Sequence, residues 1–148
     1  MIFVTVGTGK FESLVKEIDK IAPSLEEEVV VQIGAGEYVP KNCKYFRVAL
    51  SLSSYYKKAS LIITHGGPGN VFDLLDLGKK FIALANRDRT DPRHQVEYLE
   101  AISESKGFLY CKDVSLLESY IKKIKTMKFK KYKRPECKMN EYIIKFLG

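Results

Sequence analysis

Apolar positions along the chain follow two periods that alternate. Ile2-Phe3-Val4-Thr5-Val6 is a short β-rich run ending in Gly7-Thr8-Gly9, and Phe11, Leu14, Val15, Ile18 and Ile21 then recur at helical spacing. Strand, glycine turn and helix follow in that order. Pro23-Ser24 closes the helix, and Val29 to Ile33 forms a second strand that ends in Gly34-Ala35-Gly36. Tyr45 to Leu50 predicts a third strand, Ser51 to Ala59 a short helix with serines available to cap it, and Leu61 to Thr64 a buried strand. His65-Gly66-Gly67-Pro68-Gly69 then leads into Val71, Phe72, Leu74, Leu75 and Leu77, a helical face that stops at Gly78, a natural residue for the left-handed end of a helix. Phe81 to Ala85 is a fifth strand. After the polar loop from Asn86 to Thr90, Asp91 stands at an N-cap position with Pro92 in the first turn, and Val96, Leu99 and Ile102 give the next helix its core face. Phe108 to Cys111, Leu116 to Ile124 and Glu136 to Leu147 complete the pattern as strand, helix and terminal helix.

Strands rich in Val, Ile and Leu that alternate with helices predict a parallel sheet buried on both faces. The fold class is therefore α/β: a Rossmann-like open parallel sheet covered by helices on both faces. With 148 residues, 45% hydrophobic and 29% charged, the composition is that of one soluble domain over residues 1–148. The longest apolar runs have five residues, against the ~20 that a membrane-spanning helix needs. The N-terminus has no basic segment followed by a long apolar one, so the first residues are expected in the mature fold and the location is expected to be cytoplasmic. Cys43, Cys111 and Cys137 are scattered and odd in number, which argues for reduced thiols and against a zinc knuckle.

The net charge is +7, and its placement changes the picture more than its size. Lys122, Lys123, Lys125, Lys128, Lys130, Lys131, Lys133 and Arg134 place eight positive charges in thirteen residues, the stretch 122–134, and the rest of the chain carries 17 basic against 18 acidic residues. Such a local patch suits nucleic acid, anionic lipid headgroups or phosphorylated lipid substrates, and equally a solvated helix end and linker.

In open parallel sheets, ligands bind beyond the carboxyl ends of the strands. Three glycine turns fall on that edge, and glycine permits both positive φ and close backbone approach to phosphate. None is a full dinucleotide fingerprint, since Glu12 stands where G-x-G-x-x-G requires its third glycine. His65 lies at the sheet edge, where its imidazole either donates to a diphosphate or makes a structural hydrogen bond. Asp73, one turn into the following helix, suits ribose hydroxyls or an ion pair with Lys79 or Lys80. His94 and Gln95 open the helix after Asp91, placed to read a sugar or to sit on the surface. No nucleophile elbow, no paired Cys and His, and no Asp-x-Asp pair for Mg²⁺ is present. Neither a metal nor another cofactor is implied.

Taken together, the segments Ile2 to Thr8, Gln32 to Gly36, Ile63 to Gly69 and Asn86 to Gln95 resemble, in order and spacing, the glycosyltransferase family 28 C-terminal domain. Similar single-domain members are the catalytic subunit of the two-part N-acetylglucosaminyltransferase of dolichol-linked oligosaccharide synthesis and bacterial exopolysaccharide glycosyltransferase subunits. The resemblance implies the C-terminal, donor-binding half of a GT-B fold. It implies an inverting, metal-independent transfer of a hexose or N-acetylhexosamine from a UDP-sugar to a lipid-diphosphate-linked acceptor. It puts Gly7, Thr8 and Gly9 against the diphosphate with His65, Gly66, Gly67 and Gly69, and adds Asn70 to the donor-binding set. Asp73 matches a ribose-holding glutamate of a two-domain relative, one methylene shorter, and His94 and Gln95 match a pair that contacts the donor sugar. It further implies a membrane-anchored acceptor-binding subunit as partner, recruiting this chain to the cytoplasmic face of a membrane through the basic stretch and the helix from Glu136 to Leu147. No nucleic-acid partner is implied. Asp88 and Asp91 are the candidate contributors to catalysis near the sugar loop, and the reading that competes is a nucleotide-sugar-binding module without a complete active site.

Overall fold

The computed structural model describes residues 1–103, 107–129, 132–133 and 139–147. Six strands, β1 (Ile2–Thr5), β2 (Val29–Gln32), β3 (Lys44–Phe46), β4 (Leu61–His65), β5 (Phe81–Leu84) and β6 (Leu109–Tyr110), form one sheet in the order β3-β2-β1-β4-β5-β6. Every pairing is parallel, with Phe3 between Val30 and Ile62 at the centre. Parallel neighbours require crossovers, and the helices α1 (Glu12–Ile21), α2 (Ser53–Lys58), α3 (Pro68–Asp76) and α4 (Arg93–Ser103) supply all but the one from β2 to β3, which runs without a helix, while α5 (Leu117–Thr126) follows the last strand. The described chain ends in α6 (Met139–Leu147).

Because side chains alternate along a strand, each strand feeds two cores. Val4, Val31, Ile63 and Ile82 pack under Leu14 and Ile18 of α1 and Ile121 of α5. Phe3, Ile62, Phe81 and Ala83 pack on the other face against Val71 and Leu74 of α3 and Leu99 of α4. The expected doubly covered Rossmann-like sheet is the observed one. Its carboxyl edge gathers the ends of β1, β2, β4 and β5.

Boundaries depart from expectation where tertiary contacts decide them. The third strand, expected over Tyr45–Leu50, spans only Lys44–Phe46: its partner β2 turns away at Gly34 (φ 55), so the ladder ends with the amides of Ile33 and Gly34 donating to the carbonyls of Phe46 and Arg47. Residues beyond Arg47 leave the sheet, with Val48 64% exposed. The helix expected over Ser51–Ala59 is the shorter α2, with Ser51 Oγ accepting from the Ser53 amide at 3.2 Å. Asp91 serves the start of α4 by accepting from the Arg93 amide at 3.0 Å. Gly78 ends α3 with φ 63, as its position predicts. The helix expected over Leu116–Ile124 runs to Thr126 and so takes in Lys122, Lys123 and Lys125 of the basic stretch on its exposed side. Lys130, Lys131 and Arg134 of that stretch, and Glu136 to Lys138 of the expected terminal helix, lie outside the described residues. Among the described residues no helix is long and apolar enough to cross a membrane.

Candidate functional site

A cavity of about 780 Å³ opens at the carboxyl edge of the sheet. Gly7, Thr8 and Gly9 form one wall, His65 and Asn70 another, and Asn86, Asp88, Arg89, Thr90 and Gln95 a third. Val48, Ala49 and Leu52 make an apolar lip. The lining includes two cationic residues, Lys10 and Arg89, and several polar groups.

The wall at residues 7–9 is shaped by contacts beneath it. Gly7 has φ 71, and its amide donates to Thr5 Oγ1 at 3.1 Å, while the Thr5 hydroxyl itself donates to Gln32 Oε1 at 2.6 Å. The second glycine turn supports the first one from below. The Ala35 amide donates to the Gly9 carbonyl at 2.9 Å, and a Cβ on Gly34 would lie 2.1 Å from that same oxygen. Arg47 braces the pair by donating to the Gly34 and Gly36 carbonyls. Glu12, which breaks the dinucleotide fingerprint, accepts from the amides of Glu37 and Tyr38, and those two donors hold its carboxyl below the usual range.

His65 stands between two glycine turns. A Cβ at Gly7 would fall 2.8 Å from its Nε2, and one at Gly67 would fall 2.3 Å from its Cε1, so the ring fits only because both positions are glycine. Its Nδ1 accepts from the Gly67 amide at 3.1 Å, which assigns the neutral ring's proton to Nε2, and the Asn70 side-chain amide lies 3.2 Å from that nitrogen. Burial, and secondarily the Arg89 charge, push the imidazole pKa below its ordinary value. Of the two roles open to His65, the structural hydrogen bond is present, and the ring lines the cavity as well.

The remaining expected site residues divide between wall and scaffold. Gln95 lines the cavity, and its Oε1 accepts from the Asn86 amide at 2.8 Å. Gly66, Gly67 and Gly69 are not among the lining residues: a Cβ on Gly66 would meet Leu99 Cδ1 at 2.6 Å, so Gly66 admits α4, whereas Gly69 has nothing within 4 Å and leaves the first turn of α3 open. Gly67 caps α3 without a side chain, so no side-chain oxygen satisfies the first amides of that helix. Asp73 and His94 are exposed and lie outside the cavity wall. Asp73 instead adds to the rise of the Tyr56 phenol to about 12, of which burial is the larger cause. The ammonium groups of Lys79 and Lys80 donate to the carbonyls of Lys57, Ala59 and Met127. Lys10 and Arg89 are the lining cations that motif reading missed, and their only signal in sequence is a basic residue directly after a carboxyl-edge turn or within a carboxyl-edge loop.

Asp88, a candidate base by position, is committed elsewhere: its carboxylate accepts from the Ser13 amide at 2.8 Å and the Ser13 hydroxyl at 2.7 Å. Among the described residues no His, Cys, Asp and Glu group gathers as a metal site.

A parallel sheet with this strand order, helices on both faces and a cavity at its carboxyl edge is an α/β domain of the Rossmann-like type. The glycosyltransferase family 28 C-terminal domain matches residues 1–145, and the chain belongs to that family. It is 28% identical over 123 residues to the human UDP-N-acetylglucosamine transferase subunit ALG13, a match that takes in 74% of this chain and 11% of that protein's length. The fold is that of Acinetobacter baumannii MurG, with a TM-score of 0.66 at 15% identity over 84% of this chain and 41% of the other. A solution structure of ALG13 gives 0.62 at 20% identity over 96% and 93%. The architecture is thus the C-terminal half of a GT-B fold.

Proposed function

We propose that the chain is the donor-binding catalytic subunit of a two-part glycosyltransferase that uses a UDP-sugar, with N-acetylglucosamine the favoured sugar. The observation that carries this reading is the carboxyl-edge cavity, where the Gly7–Gly9 turn, Asn70 from the uncapped first turn of α3 and the cations Lys10 and Arg89 converge from separate elements. Amides at such turns and helix starts bind phosphate oxygens, and the two cations offset diphosphate charge. Protein donors meet that charge in place of a metal. Gln95 and the loop from Asn86 to Thr90 form the sugar side.

In the transfer, an acceptor hydroxyl attacks the anomeric carbon in line and inverts it. The bond from that carbon to the diphosphate oxygen breaks, UDP leaves with the electron pair, and the hydroxyl proton passes to a base. With Asp88 bonded to Ser13, the base is assigned to the partner that brings the acceptor. The acceptor is a lipid-linked diphosphate held by a membrane-anchored subunit, which docks this chain through α6 and recruits it to the cytoplasmic face. Ile143, Ile144, Phe146 and Leu147 of α6 are exposed, as a docking helix requires.

Thermal unfolding with UDP, UDP-N-acetylglucosamine, UDP-glucose, UDP-galactose and ATP tests the donor site, in buffer with and without EDTA. Ligand at 100 times its Kd adds about 2.7 kcal/mol, which for this size raises Tm by roughly 5–10 °C. A shift confined to uridine nucleotides, largest for the N-acetylglucosamine form and indifferent to EDTA, is expected. Equal shifts with ATP, or none, would overturn the reading, and binding without transfer in the presence of the partner would reduce the chain to a nucleotide-sugar-binding module.

A further inference from the structure

The loop between β5 and α4 spans residues 85–92 and carries one wall of the cavity, yet Arg87 to Thr90 are exposed and gain nothing from core packing. Its position comes from hydrogen bonds. Asn86, only 6% exposed, donates from Nδ2 to the Lys10 carbonyl at 2.7 Å, donates from its amide to Gln95 Oε1 at 2.8 Å, and accepts from the Asp88 amide at 3.2 Å. Asp88 then reaches the first turn of α1, where its carboxylate accepts from both the amide and the hydroxyl of Ser13. Phe11, the cap residue of α1, offers no side-chain acceptor, so a carboxylate 75 residues away caps this helix. The bonds are charge-assisted and the helix dipole favours an anion at that end.

Two consequences follow for the site. The start of α1 is filled by Asp88 and is closed to phosphate, which leaves the Gly7–Gly9 turn and the start of α3 for that role. The Gln95 carboxamide, its oxygen held by Asn86, has its Nε2 left to meet a ligand.

We infer that Asp88 and Ser13 form a latch that positions the loop and Gln95 for the sugar of the donor, so that sugar affinity depends on the latch more steeply than nucleotide affinity, which the latch reaches only through Arg89 of the same loop. Asp88 is a positioning residue. The inference rests on the donor-site reading above for its ligand, and on ligand-free geometry for the latch itself.

The test measures Kd for UDP and for UDP-N-acetylglucosamine by calorimetry in wild type, Asp88→Ala, Ser13→Ala and the double variant, with amide hydrogen exchange across residues 85–92 in the ligand-free proteins. Asp88→Ala is expected to weaken the UDP-sugar about tenfold and UDP only about two- to threefold, Ser13→Ala to act in the same direction and more weakly, and the double variant to match Asp88→Ala, because the Ser13 hydroxyl bond is one of the two that Asp88→Ala already removes. Exchange in the loop is expected to quicken in all three. If Asp88→Ala does not fold, Ser13→Ala, which takes away a single hydroxyl, carries both measurements. Equal losses for UDP and UDP-sugar, additive losses in the double variant, or unchanged loop exchange would overturn the latch. A wild type that binds neither ligand would overturn the donor reading and the sugar role with it, and the exchange data would still decide whether the latch holds the loop.

Discussion

His65 shows how a single side chain joins two turns. As neutral imidazole it accepts the Gly67 amide, and a protonated Nδ1 has no lone pair for that bond. Because burial lowers the folded-state pKa, the unfolded chain takes up this proton first as pH falls. Stability from this residue is complete above the unfolded value near 6.5 and declines as pH falls from there toward the folded pKa. Urea titrations between pH 8 and 5.5 are expected to show that decline in wild type and to lose most of it in His65→Gln. The glycines make a second prediction at this scale. Gly34→Ala forces a Cβ to 2.1 Å from the Gly9 oxygen at φ 55 and is expected to cost more than about 2 kcal/mol. Gly69→Ala meets nothing within 4 Å and is expected to leave Tm nearly unchanged while weakening UDP, since its Cβ stands at the open start of α3. The sequence reads all of these simply as glycine. Which one bends the chain, which admits Leu99 and which faces open space depends on partners 25 to 33 residues away, and only the fold supplies those.

At the scale of elements, the strand and helix order was legible because a buried parallel sheet leaves near-continuous apolar runs and each helix a 3.6-residue stripe. Ends were less so. β3 stops where its partner turns at Gly34, and nothing in Val48-Ala49-Leu50 signals that stop. The connection from β2 to β3 is anchored by a residue no periodicity marks out: Asp19 of α1, 3% exposed, accepts from the Tyr38 hydroxyl at 2.7 Å and from the amides of Lys41 and Asn42. Burial raises its pKa, and the donors of Lys41, Tyr38 and Asn42 outweigh that and hold it below the ordinary value. Asp19→Ala leaves those donors unsatisfied and is expected to cost about 3 kcal/mol by urea unfolding, with little effect on UDP affinity because Asp19 is not in the cavity wall. The contribution of the carboxylate is present at neutral pH and is lost as pH falls below the unfolded value near 3.9 toward its lowered folded value.

On the scale of the whole molecule, the sheet separates two kinds of surface. The carboxyl edge carries the polar cavity, while α6 presents Ile143, Ile144, Phe146 and Leu147 to solvent, Phe146 at 89% exposure. A cluster of apolar side chains this open on a nine-residue helix gains free energy from any apolar partner, at about 25 cal/mol per Å² covered. In the isolated chain the nearest such partner is another copy. The protein is therefore expected to self-associate as its concentration rises, and a chain ending at residue 138 to sediment as a monomer. None of the described side chains of α6 belongs to the cavity wall, so the truncated chain is expected to keep the Tm shift given by UDP while losing recruitment by the proposed membrane-anchored partner in a flotation assay. Cutting further, at residue 122, would remove Ile124 from the core and confuse docking with unfolding. Truncation that leaves recruitment intact would move the docking surface away from α6, and the apolar lip of Val48, Ala49 and Leu52 at the cavity mouth would then be the face to mutate next.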